Sequence, residues 1–259
     1  DSLQKIIDKN TNNGLCDIYA VIVEPFSAST LRHCSEEFLL YLRERCSELD
    51  IVLIFDEVYS GYFKTGEFFN FMRVKNLSPD ILTMAKSFGG GKSSISAFTA
   101  TSNVFNKSYN STKYATLHSS TYYGFGEECY TAIEALNIAV DEEYDKKAKS
   151  FEDVFHKKLE SLIEKYPDIL DSYSGSGTYF GLFFKKRFSR LESIAKLLPL
   201  EIAKTENLML KVIVGSVVSA VYEKHNILLF VGLIDDCPLK LSASFAHDED
   251  IIADAIDAI

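Results

Sequence analysis

"DILTMAKSFGGGKSS", residues 80–94, is an apolar run that ends in a lysine, followed by three glycines and a second lysine. A phosphate-cradling P-loop needs G-x-x-x-x-G-K-[ST] after a strand, so that backbone N–H groups surround the phosphates. Gly91, Lys92 and Ser93 supply the end of that pattern, but its first glycine would fall on Lys86. The acidic strand end "IVLIFDE" (51–57) imitates the second ATPase motif, yet it precedes the glycine run instead of following it. The nucleotide reading therefore fails, and Lys86 is left as a lysine placed for chemistry of its own.

Working outward, strands alternate with helices. "IYAVIVE" (18–24), "IVLIFDE" (51–57) and "DILTMA" (80–85) are continuous apolar runs, and "ISAFTAT" (95–101) reads as another strand. "SEEFLLYLRERCSEL" (35–49) is an expected helix with Ser35 as N-cap and Phe38, Leu42, Cys46 and Leu49 on one face. Continuous apolar strands with amphipathic crossovers predict an α/β fold with a parallel or mixed sheet covered on both faces. From about 127 the pattern turns helical. After "YSGSG" (173–177) come a strand "TYFGLFF", a helix near 203–223, a strand "ILLFVG" (227–232) and a terminal helix from about Asp248. The expected organisation is a large domain over 1–145, then a connector helix and a small α+β domain over 146–259.

The chain has 259 residues and a net charge of −10, with 47% hydrophobic and 25% charged residues. Such a composition suits a folded protein with a sizeable core and argues against a nucleic-acid partner, which leaves a basic footprint. No apolar stretch approaches the roughly 20 residues of a membrane span. The five cysteines are scattered with no CxxC pair, which predicts a reduced cytoplasmic protein and no metal site.

An aspartate at one strand end and a lysine just past the next suit pyridoxal 5'-phosphate. Its ring draws electrons only while the pyridine nitrogen stays protonated, which a buried carboxylate favours, and a lysine amine must hold the cofactor and move the proton. Both groups belong at the carboxyl ends of neighbouring strands, where open α/β sheets bind ligands. Asp56 and Lys86 meet that description, and the small residues after Lys86 would let backbone pack close to the cofactor.

On these residues and on "AVIVEP" (20–25), "LIFDEVYSGYFKTG" (53–66), "PDILTMAKSFGGG" (79–91) and "HSSTYYG" (118–124), the sequence resembles the class III (ornithine/4-aminobutyrate type) aminotransferases of fold type I. "SGSGTYFGLFF" (174–184) resembles the opening of that family's small domain, and "PLKLSASF" (238–245) its last strand. The resemblance implies a homodimer with shared active sites, moving an amino group between a small-molecule donor and a carbonyl acceptor. It implies that Lys86 forms the Schiff base, that Asp56 faces the pyridine nitrogen and that Glu24 stands behind the site. Thr121, with Ser120 beside it, would reach the phosphate of the neighbouring subunit's cofactor.

Three departures stand out. Tyr59 occupies the position where the family usually places a glutamine near the cofactor's phenolic oxygen. Lys240 replaces the arginine that grips a substrate carboxylate, losing the planar two-pronged geometry. "EPFSAST" lacks the glycines common after the family's "EP". The upstream part of the family pattern, with its phosphate turn and ring-stacking aromatic, is absent, which predicts that the chain is the C-terminal part of a longer protein. An aminomutase of the glutamate-semialdehyde type and a cofactor-free paralogue are the other functions considered. His118 is expected to be structural, Lys92 to lie on the surface, and Tyr122, Tyr123 and Phe125 to pack or meet a partner.

Overall fold

The structure, a computed structural model, describes residues 2–13, 15–186, 207–232 and 234–259. The chain divides into two compact units. The first comprises Asp1–Phe26, His33–Phe63 and Glu67–Glu142, and the second Ser27–Arg32, Lys64–Gly66 and Glu143–Ile259.

In the first unit, helix α1 (Ser2–Lys9) and the short strands β1 (Thr11–Asn12) and β2 (Leu15–Cys16) precede a sheet built from β3 (Ala20–Val23), β4 (Val52–Asp56), β5 (Ile81–Met84) and β6 (Ala97–Ala100). The sheet order is β3-β4-β5-β6; β3, β4 and β5 run parallel and β6 is antiparallel to β5. The apolar runs thus form the mixed sheet expected of them. Leu53 and Phe55 are fully buried on one face of β4, each worth about 1.5–3 kcal/mol relative to exposure.

Helix α2 (Glu36–Glu48) begins where expected: the Ser35 hydroxyl accepts from Phe38 N at 3.2 Å. Its buried face differs from the expectation. Leu39, Leu42 and Cys46 enter the core, whereas Phe38 is 39% exposed. Leu39 and Phe38 are neighbours in sequence, so a modest rotation of the apolar stripe decides which one faces inward.

Helix α3 (Ser102–Ser108) follows β6, with the Thr101 hydroxyl at its N-terminus. Helix α4 (Gly126–Asp141) closes the first unit. The expected single connector is broken: Glu143 adopts a left-handed conformation (φ 52°), and a separate helix α5 (Tyr144–Lys165) begins there.

The second unit carries a four-stranded antiparallel sheet in the order β7-β8-β10-β9, made of β7 (Leu170–Ser176), β8 (Tyr179–Phe184), β9 (Phe230–Val231) and β10 (Leu239–Ser242). Helices α5, α6 (Leu208–His225) and α7 (Glu249–Asp257) belong to the same unit. The expected helix near 203–223 is described from Leu208; its first residues lie outside the described residues. The expected strand 227–232 is confined to Phe230–Val231. Helix α5 buries Phe151, Phe155, Leu159 and Leu162 on one face, and the Phe155 ring stacks on Phe180 at 4.5 Å. Its charged run is the opposite, solvated side.

Candidate active site

Parallel strands deliver their carboxyl ends to one edge of a sheet. Val23 of β3 pairs with Phe55 of β4, and Asp56 pairs with Thr83 of β5. Glu24, Asp56 and Thr83 therefore stand level on three adjacent strands, and Lys86 follows Thr83 by three residues.

Asp56 is half-buried, with one carboxylate oxygen committed: Oδ1 accepts from Val58 N at 3.0 Å and from the Thr83 hydroxyl at 3.3 Å. Among the described residues Oδ2 takes no hydrogen bond. The chain thus clamps one oxygen and presents the other. Thr83 carried no signal in the sequence, where it is one more β-branched residue in a strand.

Lys86 opens a 3-10 turn, Lys86–Gly89, directly beyond β5. It is exposed, and among the described residues its amine makes no hydrogen bond or ion pair. Its backbone is left-handed (φ 51°), a conformation that costs a non-glycine residue on the order of 1–3 kcal/mol and gathers at functional sites.

Two features hold that turn. Gly90, at φ 59°, lies so near helix α4 that a Cβ would come 2.8 Å from the Ala135 Cβ. The close approach that Gly90 permits is thus to α4. Phe88 meets the Tyr62 ring at 5.4 Å, and Tyr62 also contacts Phe68 and Phe69. This aromatic cluster joins the loop after β4 to the turn carrying Lys86. Burial pushes the Tyr62 phenol up to about 12, and its hydroxyl points at the Met84 sulfur at 3.8 Å.

Glu57, beside Asp56, faces the other way and is 1% exposed. Its Oε1 accepts from Phe71 N at 2.8 Å and its other oxygen from the Ser60 hydroxyl. Burial raises its pKa above the ordinary carboxylate value, against those hydrogen bonds. Tyr59 sits in the turn between them, partly exposed. Gly61 completes the turn, because a Cβ there would lie 2.9 Å from the Glu57 carbonyl oxygen.

Ser120 and Thr121 are exposed, in the turn before α4, and the Ser120 hydroxyl accepts from Tyr122 N at 3.2 Å. Tyr122 and Tyr123 are 79% and 80% exposed. His118 is exposed and hydrogen-bonded to the Tyr109 hydroxyl, and Lys92 is exposed. Lys240 belongs to β10 of the second unit, where its amine donates to the Ala28 carbonyl at 2.7 Å.

The donor set suits pyridoxal phosphate. One open carboxylate oxygen is available for a ring N–H, and one unpaired lysine amine stands at the exit of the next strand. Residues 1–218 match the family model described as aminotransferase class III. The chain belongs to the class III aminotransferase family. Members of this family depend on pyridoxal phosphate.

A curated relative, acetylornithine aminotransferase of Agrobacterium fabrum (strain C58 / ATCC 33970), is 32% identical over 164 residues, covering 63% of this chain and 39% of its own length. Among solved structures, a transaminase from the marine bacterium Virgibacillus matches all of this chain and 55% of its own, with a TM-score of 0.80 and 19% identity. Acetylornithine aminotransferase from Elizabethkingia anophelis matches 99% of this chain and 56% of its own, with a TM-score of 0.77 and 23% identity. These likenesses show the fold type I α/β architecture. The chain spans 39% of the length of the curated relative and little more than half of each of these structures.

Proposed function

We propose that the protein is an aminotransferase that uses pyridoxal 5'-phosphate, moving an amino group between a small-molecule amine or amino acid and a keto or aldehyde acceptor. The observation that carries this reading is the pairing of Asp56 and Lys86 at the exits of adjacent parallel strands, one with an open oxygen and the other with an unengaged amine. When bound, the cofactor supplies an electron-withdrawing ring that stabilises negative charge at the carbon losing its proton.

The chain's own residues supply the rest. Asp56 Oδ2 would favour a protonated ring nitrogen by keeping a negative charge beside it, and the Thr83 hydroxyl and Val58 N–H hold that carboxylate in place. Lys86 Nζ would hold the cofactor and serve as the base that moves a proton at the substrate carbon. Tyr59 would donate to the cofactor's phenolic oxygen, and Glu24 would brace the edge from β3. Lys240 meets the substrate carboxylate as a point charge. Ser120 and Thr121 contact the phosphate of a partner subunit's cofactor in a homodimer. Support for that dimer is the exposed apolar run Tyr122, Tyr123, Phe125, Tyr130 and Ile133, which suits a permanent two-fold interface. We place the protein in the cytoplasm, in keeping with its scattered free cysteines.

A screen of amino donors, with detection of released keto acid or aldehyde, tests the reaction. Stoichiometric release of carbonyl product supports transamination. Return of the amino group to the same molecule, with no carbonyl released, would favour the aminomutase.

A further inference from the structure

Glu57 is a buried carboxyl group that the proposed chemistry leaves unused. Taking a carboxylate out of water costs several kcal/mol unless its oxygens are well bonded. Among the described residues no cation meets it, so its hydrogen bonds carry the whole compensation, and they all tie down the loop beyond β4. Its backbone N–H donates to the Thr83 carbonyl at 3.1 Å, extending the β4–β5 ladder by one residue beyond Asp56. Its own carbonyl accepts from Gly61 N at 3.0 Å.

Its side chain spans the rest of the loop, from the Ser60 hydroxyl to Phe71 N, the second residue of the 3-10 turn Asn70–Arg73. Asn70 is also 1% exposed, and its amide nitrogen lies 3.1 Å from His33 Nδ1. The next residue, Cys34, donates its N–H to the carbonyl of Pro25, which directly follows Glu24, at 2.8 Å. Hydrogen bonds and the short backbone steps between them thus link the exits of β3 and β4, and the Glu57 N–H ties the link to β5.

We infer that Glu57 is the positioning residue of the site: its carboxylate fixes the Val58–Gly61 turn, and with it the backbone N–H that aims Asp56 and the placement of Tyr59. The inference rests on the aminotransferase reading. Burial lifts the Glu57 pKa, in keeping with a group held for its geometry at a cost in solvation.

The test titrates pyridoxal phosphate into cofactor-free wild type, Glu57→Ala and Glu57→Gln, recording the dissociation constant, the visible absorption band of the bound cofactor and thermal unfolding of the same samples. Glu57→Ala should bind at least tenfold more weakly with an altered band. Glu57→Gln, whose amide keeps an acceptor for Phe71 N and a donor for Ser60, should stay within about threefold of wild type. A Glu57→Ala protein that melts earlier yet binds with wild-type affinity and band would overturn the inference, leaving Glu57 a purely structural residue. If Glu57→Ala does not fold, Ser60→Ala decides: a weaker cofactor complex supports the inference, and an unchanged one overturns it. Wild type without a visible band would overturn the aminotransferase reading and this inference together. A normal wild-type band with unaffected variants would overturn the inference alone.

Discussion

Replacing Thr83 with valine removes one hydroxyl and nothing else of comparable size, since both residues are β-branched and suit a strand. The hydroxyl donates to Asp56 Oδ1 at 3.3 Å, longer than the 2.7–2.8 Å usual for such bonds. A hydrogen bond to a charged group contributes about 1.5–3 kcal/mol, and this length puts it at or below the lower end. Val58 N keeps its hold on the same oxygen at 3.0 Å, so Asp56 loses part of its clamp and not all of it. The expected loss in cofactor affinity is about 1 kcal/mol, or roughly fivefold. Titration of pyridoxal phosphate into the cofactor-free protein, followed by visible absorbance, measures it. Thr83→Ser keeps the hydroxyl and should bind nearly as wild type. Equal affinities for Thr83→Val and wild type, within experimental scatter, would refute the view that β5 aims the aspartate.

Other expectations follow from particular contacts. Gly90→Ala should destabilise the protein by about 1–3 kcal/mol in chemical denaturation, from left-handed strain and the clash with Ala135. Gly91→Ala, at φ 73° with open space around it, should cost only the strain. Lys64 is half-buried in the second unit against the rings of Tyr179 and Phe245, at 5.4 and 5.0 Å, and loss of solvent around its amine pulls the pKa down to about 8. Because the folded pKa lies below the unfolded one, the cost of protonating Lys64 is full below about 8 and vanishes above about 10.5. The stability of Lys64→Met relative to wild type should therefore fall as pH rises through that window, and a flat difference would contradict the shift. Mixing Lys86→Ala with Thr121→Ala subunits should restore activity if each pocket takes its lysine from one chain and its threonine from the other, because one pocket of each mixed dimer is then intact; a verified heterodimer with no activity would rule out shared sites.

The sheet was legible because its strands are continuous apolar runs, and α2 because Ser35 is a strong cap. Other features carried no local signal. The break at Glu143 uses a left-handed residue that is not glycine, so the helical pattern reads straight through it. Strand β7, at the edge of its sheet, is polar enough to pass for a loop. Asp56 and Glu57 are adjacent carboxylates that look alike in sequence, yet the chain turns one to the edge of the sheet and buries the other. The aromatic cluster around Tyr62 depends on left-handed backbone at Tyr62 and Phe63, which sequence pattern does not report. Motif order singled out Lys86 as a candidate, whereas the groups that hold its turn, Phe88 on Tyr62 and Gly90 on Ala135, emerge only from packing.

The central claim is that Lys86 holds the cofactor. Incubation of the protein with pyridoxal phosphate, reduction with borohydride and peptide mapping of the modified lysine tests it most directly. A single stoichiometric adduct on the peptide containing Lys86, lost in Lys86→Ala, is the expected result. An adduct that persists in Lys86→Ala, or one that maps to Lys92, Lys64 or Lys240, would contradict it.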